Sequence, residues 1–170
     1  MVTTLPLPPA PPQPHGGESY RLLLPNTAGA PKIARDFVAS LLAVSRHLPL
    51  VDDARLCVTE IVTNVHRHTG TDLIRVQATV SRELITVFVS DDNPWALPVP
   101  GVPGASGAPG AGSGAGSGHE PEAGQGLLLV TRLAVAWGAT LYGGCAPTHK
   151  AVWFTLARSA DADADAGAGA

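Results

Sequence analysis

The sequence predicts an α+β fold, a two-layer sandwich with helices on one face of a mixed, mainly antiparallel sheet. Two observations carry this. Two pairs of β-rich runs sit either side of short breaks, as hairpins require: Leu73 to Val80 with Leu84 to Val89, and Val135 to Tyr142 with Ala151 to Leu156. Two further stretches repeat apolar residues at three- and four-residue spacing, the mark of amphipathic helices. The resulting order is β-α-α-β-β-loop-α-β-β.

Each element has a local reason. Tyr20 to Leu24 is a short apolar run and reads as a strand. Pro31 can open a helix at its first turn. That helix carries Ile33, Ala34, Phe37, Val38, Leu41 and Leu42 on one face and is expected to stop at Pro49. Asp52 or Asp53 can cap the next helix, whose stripe is Ala54, Val58, Ile61 or Val62, and Val65. Thr69-Gly70 ends it. Ser81-Arg82-Glu83 turns the first hairpin and Gly143-Gly144 the second. Between the hairpins, Gly126 opens a helix that runs through Leu133.

Three segments read differently. Residues 1–17 are proline-rich, residues 98–123 are almost all Gly, Ala, Pro and Ser, and residues 159–170 alternate Ala with Asp and then Gly. The first and last are expected to be disordered and the middle one to be a flexible lid insert within a domain spanning 18–158. A long structureless stretch inside a domain is otherwise unusual, unless it covers a ligand.

Bulk properties narrow the function. The chain has 170 residues, 45% of them hydrophobic, and a net charge of −3. That charge gives no footprint for a polyanion, so no direct nucleic-acid partner is expected. No run reaches about 18 apolar residues, so no spanning helix is expected. Met1 to Gly17 has neither the basic nor the apolar region of a signal peptide, and a cytoplasmic protein is expected. Cys57 and Cys145 lie far apart and read as reduced core residues.

Three patterns can carry chemistry. Glu60, Asn64 and His68 follow one another at four-residue spacing, about 40° apart on a helix. Glu60 and Asn64 thus share a face beside the apolar stripe. A carboxylate there can act as a general base, and an Asn oxygen suits Mg²⁺. An ordinary solvated helix face explains the same spacing. Second, Asp91-Asp92-Asn93-Pro94 follows a strand. A carboxylate at a strand end can accept a hydrogen bond from the amine of adenine, but these are also common turn residues. Third, Gly124-Gln125-Gly126-Leu127 leads into a helix, where glycines and free amides suit phosphate. A helix entry with flexible glycines accounts for it equally. His119-Glu120 lacks metal-site spacing, Lys150 reads as a solvated strand-edge residue, and Trp137 and Trp153 read as core.

In combination the three patterns resemble the Bergerat (histidine kinase-like) ATP-binding fold. TEIVTNVHRH at 59–68 looks like the E-(I/L)-V-T-N-A-x-x-H box of the anti-sigma-factor serine kinases and their actinobacterial relatives. GQGLLLVTRLAVAWG at 124–138 looks like their G-x-G-L-x-L-V-x-x-L-A-x-x-W-G, and KAVWFTL at 150–156 like their last strand. The resemblance implies ATP and Mg²⁺ as cofactors, with Glu60 as base, Asn64 as Mg²⁺ ligand and Asp91 as adenine reader. Gly124, Gly126 and Leu127 would lie on the phosphate side. It implies a sigma factor or a STAS-type antagonist as partner, no membrane, and a homodimer as one option. The sequence departs from the family's D-x-G-x-G box, reading Asp91-Asp92-Asn93-Pro94-Trp95, where Asn can mimic glycine in left-handed geometry. Its lid segment also lacks basic residues. Two functions therefore stand: a serine kinase acting on a small antagonist protein, or a partner-binding switch with little or no turnover of ATP.

Overall fold

The computed structural model describes residues 17–98 and 125–158. Gly124, His119 and Glu120 lie outside them, as do nearly all of the three low-complexity segments. In chain order the elements are β1 (Glu18–Pro25), α1 (Ala30–Val44), a 3₁₀ turn (Leu48–Leu50), α2 (Val51–His68), β2 (Leu73–Val80), β3 (Leu84–Asp91), α3 (Gln125–Leu133), β4 (Ala136–Tyr142) and β5 (His149–Ala157). The strands form one sheet in the order β1-β2-β3-β5-β4. Every pairing among them is antiparallel. The chain is thus the predicted α+β sandwich. β5 slots between β3 and the edge strand β4, so residues 91 and 150 become direct neighbours.

Alternation sets the core. Ile74, Val76, Ala78 and Val80 of β2, Ile85, Val87 and Val89 of β3, and Val152, Phe154 and Leu156 of β5 share one face. Against them pack Ala34, Val38, Leu41 and Leu42 of α1 and Ala54, Cys57, Val58, Ile61, Val62 and Val65 of α2, with Val130 of α3. Each fully buried aliphatic side chain contributes roughly 1.5–3 kcal/mol. Ile33, expected in the α1 stripe, is exposed, and Phe37 is only partly buried, because the helix turns those positions toward the rim.

Two local expectations are corrected. Helix α1 ends before Pro49: Arg46 takes a left-handed φ of 62°, and the His47 amide donates back to Leu42 O at 2.8 Å. This is a Schellman-type stop with Arg where glycine is usual. Pro49 then sits in the first turn of the 3₁₀ segment. Neither Asp52 nor Asp53 caps α2. Leu50 holds that position without a side-chain bond, and both aspartates lie in the first turn, where they complement the helix dipole.

Trp153 points to the sheet face opposite the helices, since its neighbours Val152 and Phe154 point inward. It is buried all the same. Its partner in register is Gly138, where a Cβ would come 3.0 Å from the indole, so the ring lies flat over the glycine. The indole Nε1 donates to Thr140 Oγ1 at 3.2 Å. Trp137 faces the helices and is partly buried.

Candidate functional site

Glu60 and Asn64 lie one turn apart on α2, both half-buried at the margin of its apolar stripe. Neither side chain is hydrogen-bonded within the described residues. Helix α3 packs against α2 at this point. A Cβ added to Gly126 would overlap the Glu60 carboxylate, with Glu60 Cδ at 2.9 Å. The glycine lets the Glu60 side chain lie directly over it, which supplies a packing reason for it beside any ligand role. The first turn of α3 carries the amides of Gly126 and Leu127, which lack intrahelical acceptors. The Leu127 side chain is buried, so its amide is the group that can meet a ligand.

Asp91 ends β3 and is fully buried. Its Oδ1 accepts hydrogen bonds from Lys150 Nζ at 2.7 Å and from the Asn93 amide at 2.9 Å. Lys150 Nζ also donates to Asn93 O at 2.6 Å. Lys150 is not the solvated residue that the sequence suggested: it is 1% exposed. It continues the inward alternation of Val152, Phe154 and Leu156, and that alternation was the available signal for its burial. A buried pair of this kind is costly to break. Removing one partner strands a charge, at about 3–5 kcal/mol. Asp91 Oδ2, also buried, has no partner among the described residues.

The turn after Asp91 is built on Asn93 rather than on glycine. Asn93 Oδ1 accepts from the amides of Trp95 and Ala96, each at 3.3 Å, and Nδ2 donates to Thr69 O at 3.2 Å. The box is thereby tied to the end of α2. Asn93 does not use left-handed geometry: Arg46 is the positive-φ residue other than glycine among the described residues. Beside this turn opens a cavity of about 540 Å³, lined by Thr69, Asp92, Asn93, Trp95 and Thr148 among others. Glu60, Asn64, Asp91 and Gly126 are not in its lining. The predicted residues thus fall into two groups, Glu60 with Gly126 and Asp91 with the unpredicted Lys150, and no side-chain bond between described residues joins them.

His68 is exposed at the end of α2, while His66 is the histidine that bonds, its Nδ1 lying 2.7 Å from Asn26 Oδ1. Cys57 is buried, and burial first, then the charges of Asp53 and Glu60, push its thiol up to about 12. Cys145 is exposed in the β4–β5 turn rather than in the core.

The chain matches the family model of the histidine kinase-like ATPase domain over residues 24–140. It belongs to the histidine kinase-like ATPase family. No curated protein matches the chain closely enough to refine that assignment. The matched span runs from the end of β1 into β4, so it takes in Glu60, Asn64, Asp91, Gly124 and Gly126 but stops short of Lys150. As a histidine kinase-like ATPase domain the chain is expected to take ATP with Mg²⁺, and its residues fit both. Among the described residues Asp91 Oδ2 is a buried acceptor without a donor, and the Asn64 oxygen is an uncommitted hard ligand. No described helix is long and apolar enough to cross a membrane.

Proposed function

We propose that the chain is an ATP-binding regulatory protein of the anti-sigma-factor serine kinase type, which phosphorylates a small STAS-type antagonist protein. The observation that supports it is the close packing of Glu60 on Gly126. It sets a carboxylate without a partner among the described residues beside a helix N-terminus whose first-turn amides suit phosphate. Bound Mg-ATP would supply the γ-phosphoryl group and the positive charge that steadies it. The protein's own work is then positional. Asn64 would hold the metal with one oxygen, Asp91 Oδ2 would accept from the base, and the amides of α3 would receive the phosphates, leaving Glu60 to take the proton from an incoming serine hydroxyl.

A second reading has its own support. The first glycine box is replaced by a turn tied to α2 through Asn93, and Lys150 already occupies Asp91 Oδ1. Both favour a switch that binds partner proteins and turns over ATP slowly or not at all. Phosphotransfer from γ-labelled ATP to purified STAS-type proteins separates the two. Under the kinase reading label moves to a serine, and Glu60→Ala lowers the rate by about 10²–10⁴-fold while ATP still binds. Label that never moves, with ATP bound normally, selects the switch.

A further inference from the structure

We infer that Lys150 is a second base-reading residue, which recognises N1 of adenine while Asp91 recognises the 6-amine. The inference rests on the nucleotide-binding reading above and extends it to a strand beyond the matched residues.

An ammonium carries three N–H donors in a tetrahedral spread. Two of those on Lys150 go to Asp91 Oδ1 and Asn93 O, at 2.7 and 2.6 Å. The third has no acceptor of its own among these bonds, on a side chain that is 2% exposed. On the other oxygen of the same carboxylate, Asp91 Oδ2 is buried without a donor among the described residues. The pair therefore holds one N–H donor and one carboxylate acceptor uncommitted among the described residues, both kept out of water. Left unmatched, each costs free energy, since buried polar groups are expensive without partners. Adenine supplies the complement along one edge: its 6-amine donates and its N1 accepts. Guanine reverses both, with a 6-oxo acceptor against Oδ2 and an N1–H against the ammonium. Opposition at two points rejects guanine more strongly than Asp91 acting alone. Lys150 is also locked in place, because its other two bonds hold it to the end of β3 and to the turn that follows. Asp91 is fully buried, so a base must displace the groups packed over it to reach the pair.

The test is a set of binding measurements on the full chain with ATP, 1-deaza-ATP, which has a C–H in place of N1, and purine riboside triphosphate, which lacks the 6-amine. Wild type should bind 1-deaza-ATP at least about tenfold more weakly than ATP, the worth of one good hydrogen bond in a buried site. Lys150→Met should bind ATP and 1-deaza-ATP equally, while still discriminating against purine riboside triphosphate. A purely structural lysine would weaken both nucleotides in parallel and leave their ratio unchanged. If Lys150→Met does not fold, as judged by circular dichroism, the wild-type ratio alone decides. Equal wild-type affinity for ATP and 1-deaza-ATP overturns the role of Lys150, and a loss seen only with purine riboside triphosphate leaves Asp91 as the sole reader. Failure of wild type to bind any of the three removes the nucleotide-binding reading itself, and this inference with it.

Discussion

At the residue scale, individual environments decide which groups can act. Cys57 and Glu60 lie on neighbouring turns of α2, yet one is closed off and the other half-open. Burial pushes the Cys57 thiol up to about 12, with the charges of Asp53 and Glu60 adding to it. The folded state therefore holds its proton where the unfolded chain, with a thiol near 9, releases it. Stability should be intact below about pH 9 and fall between pH 9 and 12, and Cys57→Ser should flatten that fall. Urea midpoints across this range measure it, and an identical decline in the variant contradicts the assignment. Thiol titration at pH 8 should find Cys145 reacting fast and Cys57 only on unfolding. Legibility at this scale was uneven. Glu60 and Asn64 stood out because polar residues at fixed spacing beside an apolar stripe are conspicuous, and Asp91 because it closes a strand. Lys150 did not, since a lone lysine at a strand start resembles a solvated edge. Its burial follows from the register of β5 against β3, which brings it opposite Asp91.

At the element scale, periodicity revealed the helices and strands, while the ends depended on contacts that periodicity does not contain. The α2 stripe reads directly from Ala54, Val58, Ile61, Val62 and Val65. Its start does not, because the aspartates that suggested a cap serve the helix dipole from inside the first turn. The close approach of α2 and α3 was legible only as a glycine whose purpose was open. Gly126→Ala tests that packing. In wild type the added methyl must push the Glu60 side chain aside, which offsets part of the roughly 1 kcal/mol that Ala gains over Gly in a helix. In a Glu60→Ala background the carboxylate is gone and only the Cβ of residue 60 stays near, at 3.2 Å, so the same change should be more favourable than in wild type. A double-mutant cycle by chemical denaturation should show this non-additivity. Equal effects in both backgrounds would mean that the Glu60 side chain does not rest on the glycine.

At the scale of the whole molecule, the sheet order β1-β2-β3-β5-β4 brings the last strand beside the third and so assembles Asp91 with Lys150 from residues 59 apart. The overall α+β architecture was legible because both hairpins and both long helices announce themselves locally. The insertion of β5 between β3 and β4 was not, because strand order is set by packing between distant segments. The central claim is that this sandwich holds an adenine nucleotide, with Asp91 reading the base and Asn64 the metal. Calorimetric titration of ATP and GTP, each with and without Mg²⁺, on wild type and Asn64→Ala tests it most directly. The account predicts that ATP binds at least about 10²-fold more tightly than GTP. It also predicts that Mg²⁺ strengthens ATP binding in wild type and has little effect in Asn64→Ala. Equal affinity for ATP and GTP, or a Mg²⁺ effect that survives the loss of Asn64, would contradict it.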